Sequence, residues 1–168
     1  PTTDFTSLYK WISENTSLFN DFTNTQAEVA LVVSREATRK YVYRINSIVN
    51  ALEEANVAFD VIVAGDAYFK NTVSFNTLDQ YKKVLVQEDE YNWFISKNVS
   101  LKNNLDLLGD KLDRVGTHNE DGPSQAIDLR ALKKSLTCEV SCSTNGVHLY
   151  PRISSTQPGS MVVHVVNT

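Results

Sequence analysis

Residues Glu28 to Ser34 read EVALVVS, an unbroken apolar run rich in valine that ends in the polar triplet Ser34-Arg35-Glu36. A strand with one wet face alternates apolar and polar residues, whereas a run without alternation describes a strand covered on both faces, as in the centre of a parallel sheet. The residues that follow supply a cover. From Thr38 to Asn56, Val42, Ile45, Ile48, Val49, Leu52 and Ala55 recur at helical spacing, while Arg39, Lys40, Arg44, Glu53 and Glu54 take the other face.

The same alternation then repeats. Phe59 to Ala64 reads FDVIVA and Val84 to Val86 reads VLV, each separated from the preceding strand by enough chain for a crossover. Crossovers of this kind are right-handed, and the expected fold is α/β, a flavodoxin-like, doubly wound, mainly parallel sheet. A weaker helical stripe, Leu101, Leu105, Leu108 and Leu112, contains Gly109, which argues against a long helix.

The flanks differ from this middle. Asp4 to Phe22 spaces Phe5, Leu8, Ile12, Leu18, Phe19 and Phe22 as a helix or two short helical turns, with Asp4 as N-cap, and the polar run Thr23 to Gln26 closes it. After Gly116 the stretch THNEDGPS is a loop by composition. Three strand-like pieces follow, Leu136 to Cys142, Val147 to Pro151 and Met161 to Asn167, separated by Thr144-Asn145-Gly146 and Gln157-Pro158-Gly159. They predict a small antiparallel β appendage, either free-standing or added to the edge of the main sheet. The expected organisation is thus a helical segment over residues 1–26, an α/β domain over 27–122 and a β appendage over 123–168.

Charge and composition exclude several partners. The 16 basic and 20 acidic residues are interspersed, leaving a net charge of −4 and no basic stripe to neutralise a phosphate backbone, so nucleic acid is not an expected partner. The longest apolar runs are strand-sized, well short of the ~20 residues of a membrane span. The chain opens on Pro1, with no basic segment leading into an apolar one, and reads as a piece of a longer polypeptide.

In an open parallel sheet ligands bind beyond the carboxyl ends of the strands, which directs attention to three places. These are Ser34, Arg35 and Glu36 after the first strand, Gly65 and Asp66 after the second, and Gln87, Glu88, Asp89 and Glu90 after the third. Together they form a polar crest whose candidate ligand residues are Ser34, Arg35, Asp66, Glu88 and Asp89. No glycine-rich turn in VSREATRKY allows a backbone to approach a phosphate, so no nucleotide cofactor is expected. The acidic run Glu88-Asp89-Glu90 lacks the spaced ligands of a calcium loop and reads as a solvated loop. His118, His148 and His164 form no ligand pair, and the last two alternate with apolar residues inside strands, as structural histidines do. Cys138 and Cys142 lie about 13 Å apart in an extended strand, beyond disulfide reach, and read as small core side chains. No GxSxG elbow presents a serine nucleophile, and neither cysteine has the glycine-flanked setting of an elbow. No catalytic, metal or cofactor residue is therefore assigned. The sequons at Asn15 and Asn98 carry little weight in a chain this rich in asparagine.

The order of these phrases resembles a family. AEVALVVSRE, a long amphipathic helix, ANVAFDVIVAGD and then YKKVLVQEDEY are similar to the class I glutamine-amidotransferase-like domain that follows the catalytic barrel in many glycoside hydrolases, the β-galactosidase trimerisation domain among them. In that family a proline usually stands where this chain has Gln87. The closing MVVHVVNT resembles the last strand of the small β domain that comes next, whereas Tyr91 to Thr117 departs from the family pattern. The resemblance implies an amidotransferase scaffold without its cysteine nucleophile, acting as a non-catalytic scaffold or oligomerisation domain. The catalytic carboxylates would lie in the barrel of the parent chain, and the compartment stays open, a secreted or periplasmic parent being compatible. Two other classes stand beside this one. A carbohydrate-binding accessory module would use exposed aromatics such as Trp11, Tyr68, Trp93 or Tyr150, and a small hydrolase would use Asp66 and Glu88 of the crest.

Overall fold

The computed structural model describes residues 2–21, 24–34, 42–65, 72–93, 95–116, 127–137 and 147–167. At its centre lies a four-stranded parallel sheet made of β2 (Val29–Ser34), β3 (Phe59–Ala64), β4 (Lys83–Gln87) and β5 (Leu112–Val115), in the order β3-β2-β4-β5. The register aligns the strands closely, with Leu31 opposite both Val61 and Leu85, and Leu85 opposite Asp113.

The valine-rich run becomes a central strand because both of its faces are dry. Ala30 and Val32 pack with Val84 and Val86 on one side, where Leu78, Ile95, Leu101 and Leu105 close the layer. Val29, Leu31 and Val33 point the other way, onto Ile45, Ile48 and Leu52 of helix α3 (Val42–Glu54) and onto Leu132. Side chains alternate across a strand, so one apolar run feeds two cores. Every residue of β2 is buried.

Short helices cover the first face. Helix α4 (Phe75–Asp79) is capped by the Ser74 hydroxyl, which accepts from the Thr77 N–H at 3.1 Å, and it buries Leu78. Tyr81, just beyond it, donates to Asp60 of β3 at 2.9 Å, and burial with this carboxylate pushes the phenol up to about 12. Helix α5 (Glu88–Trp93) starts directly at the end of β4, a single 3₁₀ turn spans Ile95–Lys97, and α6 (Val99–Asp106) is capped by Asn98. The expected helix through Leu112 therefore stops early. Gly109 adopts φ +56°, a second 3₁₀ turn covers Gly109–Lys111, and Leu112 already belongs to β5. That strand has no clear apolar signal because Asp113 and Arg114 interrupt it. Lys83 meets Asp113 at 3.2 Å, and the Arg114 guanidinium lies 3.8 Å from the centre of the Tyr91 ring.

The flanks bring three corrections. Helix α1 (Thr2–Glu14) already includes Asp4, which is thus not its N-cap, and α2 (Thr16–Asn20) follows after Asn15. Leu129–Ser135 forms helix α7, capped by Asp128 through the N–H groups of Arg130 and Ala131, and Leu132 enters the core beneath β2. Leu136 and Thr137 are not the start of a strand: the Leu136 N–H donates back to Lys133 and ends the helix. The rest of the expected strand, 138–142, lies outside the described residues.

The other two expected strands form β6 (Val147–Ile153) and β7 (Met161–Asn167), an antiparallel hairpin whose turn places Gly159 at φ +84°. The two-residue strand β1 (Asn24–Thr25) pairs with its outer edge, so the appendage is a sheet of its own rather than an extension of the main one. Asn56 ties it to the α/β layer. Its backbone takes φ +53° just past α3, and its Oδ1 accepts from the Leu149 N–H at 3.0 Å. Among the described residues no helix is long and apolar enough to cross a membrane.

Candidate functional site

Parallel register brings the carboxyl ends of the strands together, with Ser34 opposite Ala64 and Gln87 opposite Val115. The crest expected there is partly visible. Ser34, Gln87, Glu88, Asp89 and Glu90 are described, whereas Arg35, Glu36 and Asp66 lie outside the described residues.

The acidic run is not a solvated loop. It forms the first turn of α5, in which Asp89 and Glu90 are buried and Glu88 is half-buried. Gln87 is the cause. It is the last residue of β4, and its side-chain Oε1 accepts from the Glu90 N–H at 2.7 Å, so the strand turns into a helix without a connecting loop. Its Nε2 donates to Asp89 at 3.2 Å. A proline here, as in the family that the sequence resembles, has no amide to make either bond. Three carboxylates in the first turn also meet the positive end of the helix.

Glu90 is the centre of the arrangement. It is 0% exposed, and Ser34 donates to it from both its backbone N–H and its hydroxyl. The other carboxylate oxygen, Oε2, is buried and has no hydrogen-bond partner among the described residues. Burial pushes the carboxyl up to about 7, against the pull of the two Ser34 hydrogen bonds. An ionised carboxylate so enclosed loses its hydration without full repayment, and the acid resists ionisation instead. Chemically, this is a group able to hold or release a proton near neutral pH.

A second polar cluster holds α5 in place. The Tyr91 hydroxyl donates to Asp106, which also accepts from Lys102, and the Lys102 bond with the Tyr91 bond holds the Asp106 carboxyl below its usual value. Burial followed by the Asp106 contact raises the Tyr91 phenol. Sequence reasoning missed Glu90 as the buried member of the acidic run. The available signal was helical spacing: three residues beyond Gln87, Glu90 turns back toward the strand ends.

The remaining candidates are dispersed. His148 and His164 stand in β6 and β7, and His118, Cys138 and Cys142 lie outside the described residues. Trp11 and Trp93 are 49% and 60% exposed on α1 and α5, Tyr68 lies outside the described residues, and Tyr150 lines a cleft beneath the hairpin. Among the described residues no three His, Cys, Asp or Glu side chains are grouped to hold a metal ion.

The class that this fold and site define is an α/β protein with a parallel four-stranded sheet between helices, a small antiparallel sheet, and a buried carboxyl at the strand ends. No protein-family model, curated protein or solved structure matches the chain.

Proposed function

We propose that the chain is a flavodoxin-like, class I glutamine-amidotransferase-like domain that serves as a non-catalytic scaffold or oligomerisation unit of a larger glycoside hydrolase. The sugar chemistry belongs to a barrel elsewhere in the parent chain. Strand order favours this topology: the first long strand is central, the second lies on one side, and the third and fourth lie on the other.

The observation that carries the scaffold role is on β3, the outer strand of the sheet among the described residues. Val61 and Val63 stand in register with Leu31 and Val33, which are buried beneath α3, yet they are themselves 52% and 44% exposed. The face that α3 covers at the centre of the sheet is thus half exposed at these two positions of β3. Two β-branched side chains side by side form a surface that gains from a partner protein, at about 25 cal/mol for each Å² of apolar area covered. The crest supports the non-catalytic part. The Ser34 N–H and hydroxyl are bonded to Glu90, and the Gln87 amide is bonded to Glu90 and Asp89, so these groups are directed at one another.

Light scattering on the eluting chain tests the role. Self-association that is lost in Val61→Lys, with the fold retained, supports it. A strict monomer at high concentration overturns the oligomerisation role, and a parent reading frame without a two-carboxylate barrel overturns the glycoside hydrolase context. The second reading, a carbohydrate-binding accessory module, is favoured by one observation, the position of Tyr150 in its cleft.

A further inference from the structure

The small sheet runs β1-β6-β7, so among the described residues β7 has a neighbour on one side only. Its sequence, MVVHVVN, holds no charged residue and no proline, and its register with β6 runs without a bulge. Those are the devices with which proteins blunt an exposed strand edge. Ser154, just beyond β6, shows which backbone groups this edge presents. Its N–H donates to Ser160 at 3.0 Å, and in an antiparallel ladder the bonded pairs recur at every second residue. Arg152 with Val162, Tyr150 with His164 and His148 with Val166 are therefore the pairs that exchange bonds inside the hairpin. The same alternation turns Leu149 away from β7, and its N–H does reach outward, to Asn56 at 3.0 Å. On β7 the N–H and C=O groups turned outward are those of Met161, Val163, Val165 and Asn167. Two of these residues also carry apolar side chains into solvent, Met161 at 50% and Val165 at 65% exposure.

We infer that β7 pairs with β7 of a second copy of this chain, antiparallel about a two-fold axis at His164, and so joins the two small sheets into one. In that register Met161 stands opposite Asn167 of the second copy, and Val163 opposite Val165. Outward groups then meet outward groups along the whole strand, and about eight main-chain hydrogen bonds form. Charge selects the copy as partner, because an uncharged strand laid against itself opposes no like charges. The end strand β5 shows the contrast. A two-fold axis at the middle of its four residues, LDRV, sets either Asp113 or Arg114 against its own copy, which is destabilising. Strand β1, at the other end of the small sheet, has two residues and offers too short a ladder. A foreign strand would meet no charge on β7 by which to be chosen, whereas the copy matches it in length, in bond phase and in lack of charge. The inference rests on the oligomerisation reading and gives it a partner and a contact, on a surface separate from Val61 and Val63.

Light scattering on the full chain over a concentration series tests the contact, with Val163→Pro, Val165→Lys and Val61→Lys beside the wild type. Val163→Pro removes an outward N–H and no bond of the hairpin, the setting in which edge strands accept proline. Val165→Lys puts a charge at an exposed position of the edge. The wild-type mass should rise toward twice 18.8 kDa. Association should weaken by about tenfold or more in both β7 variants, since Val163→Pro alone takes two main-chain bonds from each dimer. Unchanged circular dichroism in the variants shows that the fold persists. Disulfide capture reads the register, because residues opposite each other in a non-bonded antiparallel pair lie about 4.5 Å apart at Cα, within disulfide reach. His164→Cys, in a Cys138→Ser, Cys142→Ser background, should link two copies under mild oxidation, whereas Gln157→Cys, in the hairpin turn, should not. Association that survives both β7 variants and is lost in Val61→Lys overturns this contact and leaves the oligomerisation role standing. A strict monomer at high concentration overturns both. Capture at position 157 but not at 164 overturns the two-fold pairing.

Discussion

Replacing the buried acid at the strand ends by its amide, Glu90→Gln, should make the protein more stable at neutral and alkaline pH. The unfolded chain gives up this proton near the ordinary value of 4.5, and the folded chain near 7. Between those values the folded state holds more protons than the unfolded state, so stability falls as pH rises. The contribution is fully present below about pH 4.5 and is lost by the time the pH has passed the folded value of about 7. At ~1.4 kcal/mol per pH unit of displacement, the shift from 4.5 to about 7 amounts to about 3 kcal/mol. The amide is a neutral copy of the protonated acid, and its Oε1 can still accept from Ser34, so the variant lacks this loss. Urea denaturation of both proteins, followed by circular dichroism from mildly acidic to mildly alkaline pH, measures the difference directly. The two proteins should be close in stability at the acid end, and the variant should lead by about 3 kcal/mol above neutrality, with at most one proton's slope between. A difference that stays flat across this window, or one in which the wild type gains on the variant as pH rises, refutes the reasoning. A flat difference would mean that Glu90 ionises in the fold as it does in the unfolded chain, and a gain by the wild type that the fold stabilises the ionised form.

Two further substitutions probe how the crest and the hairpin are joined to the sheet. Gln87→Leu fills the end of β4 with an apolar side chain but orphans the buried Glu90 N–H and removes one contact to Asp89, and should cost about 1 to 3 kcal/mol in chemical denaturation; a loss below about 0.5 kcal/mol would show that the cap is dispensable. At Asn56, whose φ of +53° suits glycine or asparagine, both Ala and Gly remove the bond to Leu149, but only Ala adds backbone strain. Thermal melts should therefore place Asn56→Ala about 1 kcal/mol below Asn56→Gly, and equal melting points would remove strain from the account.

Much of the fold was legible because apolar patterning records local environment. EVALVVS announces a strand with two dry faces, and the spacing of Ile45, Ile48 and Leu52 announces the helix that covers one of them. The hairpin strands were legible for the same reason, with turn residues marking their limits. Strand β5 was not, because Asp113 and Arg114 are paid in partners that are distant in sequence, Lys83 and Tyr91. Helix α7 was missed as well, since one buried leucine in a short polar segment gives too little periodicity to read.

The site divides along the same line. Sequence alone placed Ser34 and the run Gln87 to Glu90 at the carboxyl ends of two strands of one parallel sheet, and the structure makes those strands neighbours. Only the tertiary structure decided that Glu90, rather than Glu88 or Asp89, is sealed at 0% exposure against Ser34. The three acids are alike as residues. What separates them is the direction in which the first turn of α5 points each one, and that direction is set by the Gln87 cap and by the helices packed around it.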